Sequence, residues 1–247
     1  MPQKIPKIIH YCWFGRNPLP ESARKCIASW RKFFPDYEII EWNEDNFDVN
    51  SIPYTAEAYE ARKYAFVSDY ARFKILYEHG GLYFDTDVEV IRQMDDIVEK
   101  GSFMGIEVPS DGNNPPMVAP GLGIAAQDGT PFYKDVLEYY NNIHFLNEDG
   151  TPNTVTVVIH TTKLLVENGL KNNNNIQNVG DIWIYPRDYF NPLDDNTGVL
   201  KITNNTRSIH WYTKTWIEKK RHPFVVWFIR RIHRYFGNES LNWLKGL

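Results

Sequence analysis

Apolar and polar positions along this chain follow two periods, one of strands and one of helices. The apolar run over residues 5–14 is rich in β-formers and stops at Gly15, which predicts a buried strand. Over residues 21–34, Ala23, Cys26, Ile27, Trp30, Phe33 and Phe34 recur at helical spacing, and Pro35 ends the segment. Residues 37–42 read as a second strand. Strand, helix and strand in that order imply a right-handed crossover and a parallel pair.

The pattern turns helical again over residues 55–79, with a new start expected at Ser68 as an N-cap and a stop at Gly80-Gly81. Residues 82–84 predict a short strand that runs directly into Asp85-Thr86-Asp87-Val88-Glu89. Further strands are expected over 103–107, 122–126, 182–185 and 208–211. Helices are expected over 131–145, opened by Pro131, and over 153–169. The run Asn172 to Asn175 reads as a surface loop. This alternation predicts one α/β domain over residues 1–217, followed by a basic amphipathic tail over 218–247.

Composition narrows the class. With 15 Gly and 15 Pro among 247 residues, the chain is neither collagen-like nor of low complexity. Its 8 Trp, 15 Tyr and 14 Phe supply a large core, which excludes a disordered chain. The net charge of −4 gives no reason to expect nucleic acid as a partner. Two cysteines, Cys12 and Cys26, cannot make a multi-bridge framework, so thiols in a reducing compartment are expected. The first residues carry no apolar core of a secretory signal, and the longest apolar stretch, 224–229, is too short to span a bilayer. A soluble, cytoplasmic protein is the expectation.

The acidic pair after Gly80-Gly81 carries the candidate chemistry. In an extended backbone residues i and i+2 share a side, so Asp85 and Asp87 are expected to project together. Two neighbouring carboxylates repel unless a proton or cation lies between them. At neutral pH a hard divalent ion with oxygen ligands, Mg²⁺ or Mn²⁺, meets that need. The pair also falls where a buried strand ends, the edge at which α/β sheets present ligand sites. Glu89 shares the same face by alternation. Asp69 and Arg72, three apart on a helix, can pair; such a pair is either a surface ion pair or part of a site.

Three segments occur in order: Lys7-Ile8-Ile9-His10-Tyr11-Cys12-Trp13-Phe14-Gly15, Phe66-Val67-Ser68-Asp69-Tyr70-Ala71-Arg72, and Gly80-Gly81-Leu82-Tyr83-Phe84-Asp85-Thr86-Asp87. Together they resemble the sugar-binding-region glycosyltransferases with a DXD motif, family 32. That group includes yeast-type initiating mannosyltransferases and many bacterial capsular polysaccharide enzymes. The resemblance runs from Ile5 through Trp216. It implies a GT-A fold, Rossmann-like with a mixed, mainly parallel central sheet, and a nucleotide-diphosphate sugar donor, UDP-hexose or GDP-mannose. It also implies a divalent metal, retention of anomeric configuration, and a glycan or lipid-linked acceptor in surface polysaccharide synthesis.

Under this resemblance Asp85 and Asp87 hold the metal, with Thr86 between them touching the donor. Asp69 and Arg72 face the donor's hydroxyls and phosphates and join the catalytic set. Tyr11 or Trp13 stacks on the nucleobase, core packing being the rival role for each. His210 completes the metal shell, and Thr215-Trp216 touches the diphosphate, Thr215 standing where relatives carry serine. No nucleophile or base is assigned: retention proceeds either through a carboxylate nucleophile with two displacements or by attack from the face of departure, where the leaving diphosphate itself accepts the acceptor's proton, and spacing does not choose between them.

The tail has a different character. Lys219, Lys220, Arg221, Arg230, Arg231 and Arg234 surround a helical stripe of Val225, Phe228, Ile229, Ile232 and Phe236, with Trp227 nearby. Such a helix suits the surface of an anionic membrane at the inner face of the cell, or packs its stripe back onto the domain. Two other functions fit the same residues. A non-catalytic glycan-binding module would use the aromatics as sugar platforms without metal. A haloacid-dehalogenase-type phosphatase would use Phe84-Asp85-Thr86-Asp87-Val88 as its nucleophile strand.

Overall fold

The structure, a computed structural model, describes residues 4–213 and 223–236. The chain opens with β1 (Ile8–Cys12), α1 (Glu21–Phe33) and β2 (Glu38–Trp42), and β1 and β2 pair in parallel with Ile9 opposite Ile39. α1 buries Ala23, Cys26, Ile27 and Trp30, the residues its period places on one face. Trp30 is fully buried and its indole N–H donates to the Val88 carbonyl at 2.8 Å.

The next helical stretch is two helices, α2 (Pro53–Glu60) and α3 (Tyr64–His79). The break falls before Ser68, at Ala61-Arg62-Lys63. Arg62 takes a left-handed φ of 57°, and the Lys63 N–H closes on the Ala58 carbonyl at 2.8 Å, a helix-ending arrangement that the side-chain pattern does not announce. Ser68 lies inside α3, its hydroxyl donating to the Tyr64 carbonyl at 3.2 Å. At the far end Gly80 and Gly81 take φ of 63° and 98°, and a Cβ on Gly81 would lie 2.7 Å from the Ile8 carbonyl oxygen. This turn delivers the chain into β3 (Gly81–Tyr83), which pairs in parallel with β1.

There follow β4 (Val88–Val90), α4 (Asp95–Val98), β5 (Phe103–Val108), β6 (Met117–Ala119), β7 (Ile124–Ala126), α5 (Pro131–Asn141) and α6 (Val157–Glu167). β8 (Gln177–Val179), β9 (Ile182–Tyr185), α7 (Arg187–Phe190), β10 (Ser208–His210) and α8 (Pro223–Phe236) complete the described elements. The main sheet runs β2-β1-β3-β7-β5-β9-β8, with β6 added on β5. β1, β2, β3, β5 and β9 share one direction, and β6, β7 and β8 oppose them. The α/β class and the mixed central sheet expected from the sequence are both present.

The core lies on both faces of this sheet. On one side α3, α5 and α6 enclose Phe73, Tyr133, Val136, Leu165 and Tyr83. On the other α1 packs Ile27 and Trp30 against Leu82, Phe84 and Val88. Burial of one such side chain contributes roughly 1.5–3 kcal/mol. Both cysteines are buried thiols.

β4 leaves the main sheet and pairs antiparallel with β10, placing His210 opposite Val88. α8 is tied to the segment 194–198 by its basic residues. Arg230 donates to the carbonyl and carboxylate of Asp195 at 3.0 and 2.8 Å, and Arg234 to the Thr197 carbonyl at 3.1 Å. Val225 and Phe228, two members of the expected stripe, keep 42% and 50% of their surface exposed.

Candidate active site

A cavity of about 880 Å³ opens at the carboxyl ends of β1 and β3. It is walled by Cys12 and Trp13, by the first turns of α3, and by Asp85, Thr86 and Asp87. Glu107, His210 and Tyr212 close the other side. This is the edge at which α/β sheets hold ligands, because loops leaving parallel strands diverge there.

Asp85 and Asp87 sit in a turn rather than in an extended strand. The Val88 N–H donates back to the Asp85 carbonyl at 3.0 Å, since β3 ends at Tyr83 and the chain must leave the main sheet to form β4. Strand alternation is therefore not what brings the two carboxylates to one cavity. Asp85 Oδ1 accepts the Tyr83 hydroxyl at 3.1 Å and stands 3.3 Å from Nη2 of Arg72. Asp87 Oδ2 accepts the backbone N–H and the hydroxyl of Thr213 at 2.8 and 3.0 Å. Its Oδ1 stands 3.1 Å from Nε2 of His210. Gly121 leaves room beside this turn: a Cβ there would press on Asp85 Oδ2 and force that carboxylate to shift.

Arg72 lies at the centre of the charged groups. It is 3% exposed and donates through Nη2 to Asp69 Oδ1 at 2.9 Å and through Nε to the Ser68 carbonyl at 3.0 Å. The Asp69–Arg72 pair is thus a buried bridge to Asp85, not a surface ion pair. One guanidinium between the buried Asp69 and the partly exposed Asp85 leaves one negative charge uncompensated. Burial accordingly pushes Asp69 up to about 7, against the pull of Arg72 and with the push of Asp85. Burial also raises Asp85, the repulsion of Asp87 adding to it against Arg72.

Asp87 has the opposite shift. Burial alone would raise it, but the His210 and Thr213 hydrogen bonds hold it near 2. Burial would lower His210, yet its bond to Asp87 and the charges of Asp85 and Glu107 raise it. Among the described residues no three His, Cys, Asp or Glu side chains form a ready metal cage. The donor set nonetheless suits Mn²⁺ or Mg²⁺: two carboxylates and one imidazole, whose buried Nδ1 has no hydrogen-bond partner among the described residues.

The cavity gathers Asp69, Arg72, Asp85, Thr86, Asp87, His210 and Trp13 from four stretches of the chain. It does not include Tyr11. That side chain points to the α1 face, its ring 5.8 Å from Trp30 and its hydroxyl donating to Glu41 at 2.7 Å. The two residues differ because Trp13 lies beyond the end of β1, where the chain leaves the sheet. Glu89 is also outside the lining and accepts the Trp211 indole N–H at 2.9 Å. Thr215 and Trp216 lie outside the described residues. The sequence reading missed Tyr83, Thr213, Glu107 and Tyr212. Of these only Tyr83 had a usable signal, two residues before Asp85.

Part of the chain is similar to known proteins. Residues 20–104 match the glycosyltransferase sugar-binding region containing a DXD motif. Inositol phosphoceramide mannosyltransferase 3 of Schizosaccharomyces pombe is 32% identical over 114 residues, 44% of this chain and 32% of that one. Mannosyl phosphorylinositol ceramide synthase CSH1 of Saccharomyces cerevisiae is 31% identical over 121 residues, 46% and 31% of the two chains. The chain thus matches about a third of the length of these curated relatives. A solved glycosyltransferase involved in glycosylation of the major capsid of PBCV-1 superposes with a TM-score of 0.49 at 12% identity, covering 85% of this chain and 94% of that one.

Proposed function

We propose that this protein is a retaining GT-A glycosyltransferase that moves a hexose from a nucleotide-diphosphate sugar to a hydroxyl of a glycan or lipid-linked acceptor. The observation that carries the reading is Arg72, buried between Asp69 and Asp85 in the cavity that also holds Asp87 and His210. The names of the relatives favour mannose as the hexose, so GDP-mannose is the first donor to try, with the UDP-hexoses beside it. The surface or capsular polysaccharide setting rests on the sequence resemblance alone.

In this reading Asp85, Asp87 and His210 would hold Mn²⁺ or Mg²⁺. When bound, the cation supplies neutralisation of the charge that develops on the leaving diphosphate. Arg72 keeps a permanent positive charge at the same wall, and Arg62 and Lys63 line the cavity nearby. Asp69 accepts hydroxyl hydrogen bonds from the sugar or ribose. Trp13 presents an aromatic face to the base, and Thr215-Trp216 completes the diphosphate contacts. Retention follows the resemblance, with the acceptor's proton passing to the diphosphate leaving group, so that no protein base is needed.

Among the described residues no helix is long and apolar enough to cross a membrane. The exposed Val225 and Phe228 instead support a peripheral association of α8 with an anionic inner membrane face.

The test is incubation with GDP-mannose, UDP-glucose, UDP-galactose and UDP-N-acetylglucosamine in the presence of Mn²⁺, followed by detection of nucleoside diphosphate. Release from one of them is expected. Phosphate release from monoesters without donor breakdown would overturn the reading in favour of a phosphatase. Metal-independent glycan binding without any release would favour the binding module.

A further inference from the structure

One cavity carboxylate has no place in the scheme above. Glu107 lies near the end of β5, where the pairing with β6 slips: Ile106 faces Val118, Val108 faces Met117, and Glu107 is the extra residue of a β-bulge. Bulges re-aim a side chain, and this one accompanies a half-buried carboxylate in the wall of the cavity. Its Oε1 accepts the Tyr212 hydroxyl at 3.1 Å. Among the described residues Oε2 accepts no hydrogen bond.

Two further elements converge on the same group. Tyr212 takes a left-handed φ of 51°, unusual for a bulky residue, and its ring lies 4.2 Å from that of His210. The fully buried Asn191, at the end of α7, donates to the Tyr212 hydroxyl at 2.6 Å and approaches the Glu107 carbonyl at 3.4 Å. A bulge, a left-handed tyrosine and a buried amide thus fix one carboxylate. The position is also informative. Asp69 and Arg72 are buried at the inner wall, whereas Glu107 adjoins the exposed Val108, with Ile159, 49% exposed, also lining the cavity. An incoming acceptor reaches this outer edge first.

We propose that Glu107 is an acceptor-binding residue, its Oε2, free among the described residues, accepting a hydrogen bond from a sugar-type hydroxyl of the acceptor while Asn191 and Tyr212 hold it in place. The proposal rests on the glycosyltransferase reading and adds a residue to its acceptor side.

The test uses glycerol as a generic diol acceptor in competition with water, with whichever donor the panel identifies. Mass spectrometry reads the ratio of glyceryl glycoside to free hexose. This ratio is internal to each reaction and insensitive to a general loss of enzyme. A merely structural role for Glu107 would change total turnover and leave the ratio alone. Wild type should form the glyceryl product above its molar share, and Glu107→Gln should lower that ratio about tenfold, as for a hydrogen bond to a charged group. Tyr212→Phe, which deletes only a hydroxyl, should lower it less. A ratio unchanged in both variants would overturn the proposal. No donor breakdown by wild type would instead mark failure of the glycosyltransferase reading.

Discussion

Nε2 of His210 stands 3.1 Å from Oδ1 of Asp87, although the two residues are far apart in the chain. The β4–β10 ribbon makes the contact, by placing His210 opposite Val88. If this imidazole belongs to the metal shell, His210→Ala should raise the Mn²⁺ concentration needed for half-maximal activity by about ten- to a hundredfold. It should also erase any preference for Mn²⁺ over Mg²⁺, since only the imidazole favours the softer ion. A titration of diphosphate release against each metal reads both effects. An unchanged Mn²⁺ requirement would remove His210 from the shell.

The Asp69–Arg72–Asp85 bridge should respond unequally to loss of its members. Arg72→Ala leaves the buried Asp69 without its cation and should destabilise the fold by about 3–5 kcal/mol. Asp69→Asn should cost on the order of 1 kcal/mol or less, because burial already brings this acid to about 7 and the amide oxygen still accepts from Arg72. Urea unfolding at pH 7 of the three proteins gives the ranking. Equal losses for the two variants would contradict the charge balance described here.

His10 gives the fold a defined acid sensitivity. It is fully buried, with Nε2 on the Gly80 carbonyl at 2.9 Å and Nδ1 accepting the Trp42 indole at 3.0 Å. Burial, partly offset by the Gly80 bond, lowers its pKa from 6.5 to about 4. The unfolded chain therefore binds the extra proton between those values, and stability falls as pH drops from about 6.5 to about 4. The full loss is about 3 kcal/mol. Asp69, raised in the folded state, has the opposite slope in an overlapping window, so the comparison must be with His10→Gln. The variant should be less stable at neutral pH yet lack this acid-side loss. Parallel stability curves for the two proteins would show that His10 is not the responsible group.

α8 should join the protein to anionic vesicles through its apolar side chains, because Arg230 and Arg234 are engaged with residues 195 and 197. Replacing both Val225 and Phe228 by Ser should reduce flotation with phosphatidylglycerol vesicles several-fold. Flotation equal to wild type would mean that this face is not the membrane contact.

Much of this arrangement was legible in the residues. The period of α1, the parallel β1–β2 pair and the Gly80-Gly81 stop follow from local rules that act within a few residues. Asp69, Arg72, Asp85 and Asp87 were found because their types and order resemble a known family. What escaped depends on partners distant in the chain. Tyr11 and Trp13 are two apart and looked equivalent, but the end of β1 between them decides which reaches the cavity. The break between α2 and α3 depends on a left-handed Arg62, which no side-chain pattern marks. Glu107 and Tyr212 owe their place to a bulge and a strained backbone, and neither has a sequence signature.

The proposed function stands on Asp85 and Asp87 as the metal-dependent leaving-group site of a nucleotide-sugar transferase. Its most direct test is nucleoside diphosphate release from the active donor by wild type, by wild type with EDTA, and by Asp85→Asn and Asp87→Asn. Release is expected with Mn²⁺, to be abolished by EDTA and restored by excess metal, and to fall by at least about a hundredfold in each variant. Release that persists undiminished in either variant, or in EDTA, would contradict the account.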